Sequence, residues 1–178
     1  MNQAASTASP PTVDGAIVFT DLSGYTEFVA MRGDLAALEL VSTHESVIRQ
    51  HVDGRGRLVK SLGDGFMLWF GDACDAVETS LTLQDTFDDM SFEDDFPLWV
   101  RIGIHFGHPL KHGDDLVGHD VNLAARIVDL AGPGEVLVSE ACTGMMKNPP
   151  EGVEFEEVGP VVMKGIPDAV TLFRAVRF

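Results

Sequence analysis

The sequence predicts an α+β fold: a ferredoxin-like βαββαβ core with an antiparallel sheet, extended by C-terminal αβ and hairpin elements. Three observations lead to it. Short β-branched and aromatic runs alternate with longer amphipathic stretches, the order of elements is βαββαβ before the final pieces, and no internal repeat divides the chain. With 178 residues, 45% of them hydrophobic, the chain suits one domain with a substantial core. Residues 1–14 are rich in Ala, Ser, Thr and Pro without periodicity, which predicts a disordered leader before a domain spanning 15–178.

The elements follow in order. Ala16 to Thr20 is an apolar, β-rich first strand closed by Asp21. Ser23-Gly24-Tyr25 turns the chain into a helical region, and Leu35, Leu38, Leu40, Val41, Val47 and Ile48 mark a long packed helix to Val52. Asp53 to Gly56 ends it. Arg57 to Phe70 then reads as two strands joined by Gly63-Asp64-Gly65, a hairpin signal that puts Asp64 at the tip. Asp72 to Asp89 reads as a second helix, leading into an acidic run through Glu93-Asp94-Asp95 that suits solvated surface. Leu98 to Phe106 is the next strand, His108 to Asp115 a polar loop, and His119 to Ala131 a helix stopped by Gly132-Pro133-Gly134. Glu135 to Ser139 is a strand. β-rich pieces around Val161-Val162-Met163 and Val170 to Arg174, parted by the Gly165 to Asp168 turn, form the terminal hairpin, and the helices are expected on one face of the sheet.

Composition excludes several functions. A formal net charge of -16 and a pI near 4.5 argue against a nucleic-acid backbone or an anionic membrane as partner. No apolar stretch approaches the roughly 20 residues of a membrane span, and the N-terminus lacks the basic and apolar regions of a signal peptide, so a cytoplasmic location is expected. Neither a sensor, a HAMP-like helix pair nor a membrane anchor is expected in this sequence. Cys74 and Cys142 lie in no CxxC or Cys/His arrangement and read as reduced thiols.

Two kinds of polar residue stand out. Asp21 and Asp64 each adjoin a strongly apolar strand, where a bare buried charge would cost several kcal/mol; pairing, solvation or a divalent cation must answer it. The helix after Gly118 carries Val121, Leu123, Ala124, Ala125, Ile127, Val128, Leu130 and Ala131, apolar nearly all round, so most of it should be buried. Asn122, Arg126 and Asp129 interrupt it at i, i+4 and i+7, on one stripe. A plain ion pair between Arg126 and Asp129, with Asn122 facing water, accounts for that spacing. A ligand site also accounts for it, given the Gly- and Asp-rich loop from His112 to Gly118 that enters the helix.

Phe19-Thr-Asp21-Leu-Ser-Gly24-Tyr-Thr26, Val59-Lys60-Ser-Leu-Gly63-Asp64-Gly-Phe, Arg101-Ile-Gly-Ile-His105, Asp115-Leu-Val-Gly118 and Val121-Asn122-Leu-Ala-Ala-Arg126 together resemble the class III nucleotidyl cyclase catalytic domain, of the bacterial adenylate cyclase kind. The resemblance runs from Gly15 to Phe178, including Gly132 to Ser139 and Met163-Lys164-Gly165. It implies that Asp21 and Asp64, with the Leu22 backbone carbonyl, hold two divalent cations, Mg²⁺ or Mn²⁺. It further implies that Arg126 stabilises the transition state, Asn122 orients the ribose and Lys164 meets the triphosphate of ATP. Lys60 and Asp115 match the base-recognising positions. A lysine donor and an aspartate acceptor complement adenine N1 and its 6-amino group, whereas guanine reverses both.

By the same resemblance the product is 3',5'-cyclic AMP, released with pyrophosphate. The sites are shared across a head-to-tail homodimer, because one chain carries both halves of the residue set. A guanylate cyclase and a catalytically silent cyclase-like domain are the alternatives. The first would place Glu and a small or thiol residue at 60 and 115, and the second usually lacks a metal aspartate or the arginine. A diguanylate-type synthase lacks support, since no GGDEF-like signature occurs. His108 stands where some relatives carry a phosphate-binding arginine. His108 and His112, separated by Pro109 and followed by Gly113, read as surface loop rather than a metal site.

Overall fold

The computed structural model of the protein describes residues 8–93 and 99–178. The first seven residues of the expected leader, the acidic pair Asp94-Asp95 and the start of the strand placed at Leu98 lie outside them. The elements are β1 (Gly15–Leu22), α1 (Tyr25–Arg32), α2 (Asp34–Val52), β2 (Gly56–Leu62), β3 (Gly65–Phe70), α3 (Ala73–Glu93), β4 (Val100–Gly107), β5 (Leu110–His112), β6 (Asp115–Val117), α4 (His119–Leu130), β7 (Val136–Ser139), α5 (Glu140–Thr143), β8 (Val153–Val161) and β9 (Val170–Arg177). Seven strands form one sheet in the order β2-β3-β1-β4-β7-β9-β8, antiparallel except for the β4–β7 pair. The α+β class is as expected, and a terminal hairpin forms, but its first strand is β8 over Val153–Val161, so Val162 and Met163, expected within it, follow it instead.

Period-2 alternation sorts the sheet's two faces. On one, Ala16 and Val18 join Phe66, Leu68, Phe70, Ile102 and Ile104 against Leu40, Val47, Ile48, Val77, Leu83 and Phe87 of α2 and α3. On the other, Ile17, Phe19 and Met67 meet Ala124 and Val128 of α4 with Leu116 of β6. Helices therefore cover both faces, not one. The parallel β4–β7 pair requires a crossover, and α4 is that crossover, laid over the face that α2 and α3 leave free. It lies very close: a Cβ on Gly103 of β4 would meet the Val128 backbone nitrogen at 2.4 Å.

Three further expectations are corrected. Helix α4 is half-exposed rather than mostly buried: Leu123, Ala124, Ile127 and Val128 are covered, while Leu130 is 46% exposed beside Asn122, Arg126 and Asp129. The polar stretch after His108 is a hairpin, β5–β6, whose three-residue strands are too short to carry an alternation. The leader does not extend to Asp14, because Pro11 O accepts from Lys111 N, Thr12 bridges Leu110 and Val13 N donates to Pro109 O.

Candidate active site

Strand β1 is buried on both faces until its end, where Asp21 emerges, 26% exposed, with the Leu22 side chain turned into the core. The β2–β3 turn brings Asp64 beside it. Gly65 makes this approach possible, since a Cβ there would meet Thr20 O at 2.5 Å and Asp21 Oδ1 at 3.5 Å. Partial burial, and after it the Asp21 charge, raise the Asp64 carboxyl above the ordinary carboxylate range, with Arg101 opposing. The two acids repel unless a cation lies between or beside them.

Arg101 supplies one positive charge. It faces Asp21 across the β1–β4 register, donates from Nε to Asp21 Oδ2 at 3.0 Å and from Nη2 to the same oxygen, and reaches Asp129 O from Nη1 at 3.4 Å. It thus ties the aspartate strand to the end of α4. The sequence shows Arg101 only as part of a motif, because its partner is fixed by strand register. Asp21 and Asp64 suit a divalent cation: they are hard oxygen donors whose mutual repulsion a cation relieves. Among the described residues no group of three or more His, Cys, Asp or Glu could hold an ion. Further oxygens would have to come from the Leu22 carbonyl, water or a phosphate.

Lys60 of β2 and Asp115 of β6 form a second group. Their side chains, 37% and 36% exposed, meet at 2.8 Å between Nζ and Oδ2, and Asp115 Oδ1 accepts the Leu116 N–H at 2.8 Å. The hydrogen bond from Lys60 holds Asp115 below its ordinary pKa, so it remains an acceptor. Arg57 secures the same hairpin by donating from Nη1 to Asp114 O at 3.0 Å. A third group, Asn122 and Arg126, lies on the exposed stripe of α4. Arg126 is 3.5 Å from Asp129 Oδ2, while the Asn122 and Lys164 side chains have no hydrogen-bond partner among the described residues. Lys164 sits on an exposed loop pinned by the buried Met163 and Ile166 on either side.

Within one chain Arg101 links Asp21 to Asp129, the residue that pairs with Arg126, while among the described residues no hydrogen bond or ion pair joins Lys60 or Asp115 to either of the other groups. His108 is turned to a different partner, with Nδ1 2.7 Å from Asp14 Oδ1, and that carboxylate raises its pKa. A cavity of about 260 Å³ opens at the β1–α1 turn between Leu22, Ser23, Tyr25, Phe28 and Trp99, and neither Asp21, Asp64 nor Lys60 lines it.

Comparison with known proteins gives a consistent picture. The family described as the adenylate and guanylate cyclase catalytic domain matches residues 8–174. An adenylate cyclase of Streptomyces coelicolor is 36% identical over 127 residues, 71% of this chain and 32% of its own length. A pH-sensitive adenylate cyclase of Mycobacterium tuberculosis is 28% identical over 181 residues, 98% of this chain and 44% of its own. This chain therefore spans less than half the length of either relative. Among solved structures, the adenylyl cyclase CyaB from P. aeruginosa superposes with a TM-score of 0.84 at 21% identity, covering 96% of this chain and 97% of that one. A Trypanosoma brucei adenylate cyclase, solved in its monomeric state, gives 0.81 at 25% identity, covering 96% and 92%.

Proposed function

Because the chain belongs to the adenylate and guanylate cyclase catalytic domain family, we propose that it is an adenylate cyclase, converting ATP to 3',5'-cyclic AMP and pyrophosphate in a homodimer. The observation that carries the choice of ATP is the Lys60–Asp115 pair. Lys60 donates to adenine N1 while the ionised Asp115 accepts from the 6-amino group, and a guanine would set donor against donor and acceptor against acceptor.

Asp21 and Asp64, with the Leu22 carbonyl, would hold two divalent cations, Mg²⁺ or Mn²⁺. When bound, these supply Lewis-acid neutralisation of the triphosphate and lower the pKa of the ribose 3'-hydroxyl. The chain's own groups do the rest. Asn122 orients the ribose so that its 3'-oxygen lies in line with the α-phosphorus, and Arg126 places a guanidinium where negative charge accumulates as pyrophosphate leaves. Lys164 neutralises the outer phosphates. In this reading Asn122 and Arg126 come from one protomer and the aspartates from the other, since one chain carries both halves of the residue set.

Purified protein supplied with Mn²⁺ and ATP should form cyclic AMP, followed by mass, with a rate per protomer that rises with protein concentration. GTP should be a poor substitute. No product at high protein concentration would mean a catalytically silent domain.

A further inference from the structure

Buried polar side chains need partners, and one partnered set lies apart from every residue assigned above. His105 of β4 is 5% exposed and Ser139, ending β7, is wholly buried. His105 Nδ1 is 2.8 Å from Ser139 Oγ, and its Nε2 is 3.1 Å from Oδ1 of Asp120 in the first turn of α4. Asp120 Oδ2 accepts the His108 N–H at 2.8 Å, and Ser139 Oγ accepts the Cys142 N–H at 3.3 Å as the cap of α5.

One proton arrangement satisfies all of these groups. Burial outweighs the neighbouring Asp120 and keeps His105 below its ordinary pKa, hence neutral. A carboxylate can only accept, so Nε2–H donates to Asp120. Nδ1 then accepts the Ser139 hydroxyl proton, and the hydroxyl oxygen accepts from Cys142. Ser, His and Asp in line do not make a nucleophile here, since the hydroxyl has no access to solvent and serves as a helix cap. Gly107 shows how tightly the far end is seated: a Cβ there would lie 2.3 Å from Asp120 Cγ.

We propose that the Ser139–His105–Asp120 chain is a positioning device that locks the first turn of α4 onto β4, and so fixes the direction in which Asn122 and Arg126 are presented to the nucleotide. This role presupposes the cyclase activity proposed above. His105 acts through Asp120 and touches no substrate. Its loss should therefore lower turnover while leaving nucleotide affinity to Lys60 and Asp115, which stand on β2 and β6.

Two substitutions that both remove the ring separate this role from simple packing. In His105→Gln the side-chain amide reaches the former Nε2 position and keeps the bond to Asp120. In His105→Asn it reaches only the Nδ1 position and loses it. With Mn²⁺ and ATP, His105→Asn should lower kcat by roughly 10- to 100-fold, the scale expected when a reacting group is displaced by about 1 Å, with little change in KM. His105→Gln should restore most of that loss. Hydrogen exchange at the backbone amides of residues 119–124 should quicken in the Asn variant and not in the Gln variant. Asp120→Asn, at a partly exposed position, sets an amide donor against His108 N–H or forces His105 into the other tautomer, which leaves the buried Ser139 hydroxyl proton without its acceptor, and should also lower kcat at constant KM. Equal kcat and equal exchange in the two His105 variants, or a normal kcat in Asp120→Asn, would overturn the positioning role while the cyclase reading stands. A wild type that forms no cyclic nucleotide would remove both.

Discussion

Lys60 and Asp115 neutralise one another before any base arrives, and at more than one-third exposure their mutual attraction contributes little to folding. In the proposed reading their value lies in pre-organisation: the Lys60 hydrogen bond keeps Asp115 ionised and the contact fixes the direction of both, so an incoming purine would meet one donor and one acceptor in fixed places. Lys60→Glu combined with Asp115→Cys should therefore move the preference from ATP towards GTP by about 10-fold or more, the scale of one good two-point base contact. Parallel kcat/KM measurements on both nucleotides check it, and an unchanged ratio would refute the base-recognition assignment. The residue types at 60 and 115 were legible in the sequence because hydrogen-bond complementarity belongs to the side chains themselves. Arg101 was not, since its partner Asp21 lies 80 positions away and meets it only through the β1–β4 register.

At the scale of elements, the packing of α2 against the sheet carries a charge-sensitive group. His44 is fully buried, with its ring edge-on to Phe66 and Phe87 at 5.0 and 5.1 Å between centroids. Neither ring nitrogen has a partner in hydrogen-bonding geometry. Burial depresses its pKa to about 4, and the nearby Asp64 backbone, which favours the charged ring, only partly opposes this. The folded protein thus takes up this proton less readily than the unfolded chain, whose histidine titrates near 6.5. Its effect on stability is nil above pH 6.5 and grows as pH falls towards 4, reaching about 3 kcal/mol there. Urea unfolding of wild type and His44→Leu at pH 7, 5 and 4 should show the wild type losing that much more than the variant. Parallel losses would mean that His44 escapes its burial. Element boundaries were largely readable from periodicity, including the long α2 and the β2–β3 hairpin. β5 and β6 were not, because strands of three residues are too short to display an apolar alternation.

For the whole molecule, the proposed homodimer with shared sites makes partnership obligatory. Asp21→Ala and Arg126→Ala should each be inactive alone. Mixed at equal amounts with free exchange, half the dimers are mixed and each has one intact site, so about a quarter of wild-type cyclic AMP formation should return. No recovery would rule out shared sites. What the sequence determined by itself was the α+β class, the family likeness and the chemical types at the site, since hydrogen-bonding capacity, charge and local periodicity are properties of residues and their near neighbours. What only the tertiary structure decided was arrangement: α4 on the second face of the sheet with its polar stripe exposed, Arg101 clasping Asp21, and the buried line from Ser139 through His105 to Asp120. Those features depend on strand register and crossover. Both are set by how distant segments share one core, which no local pattern along the chain encodes.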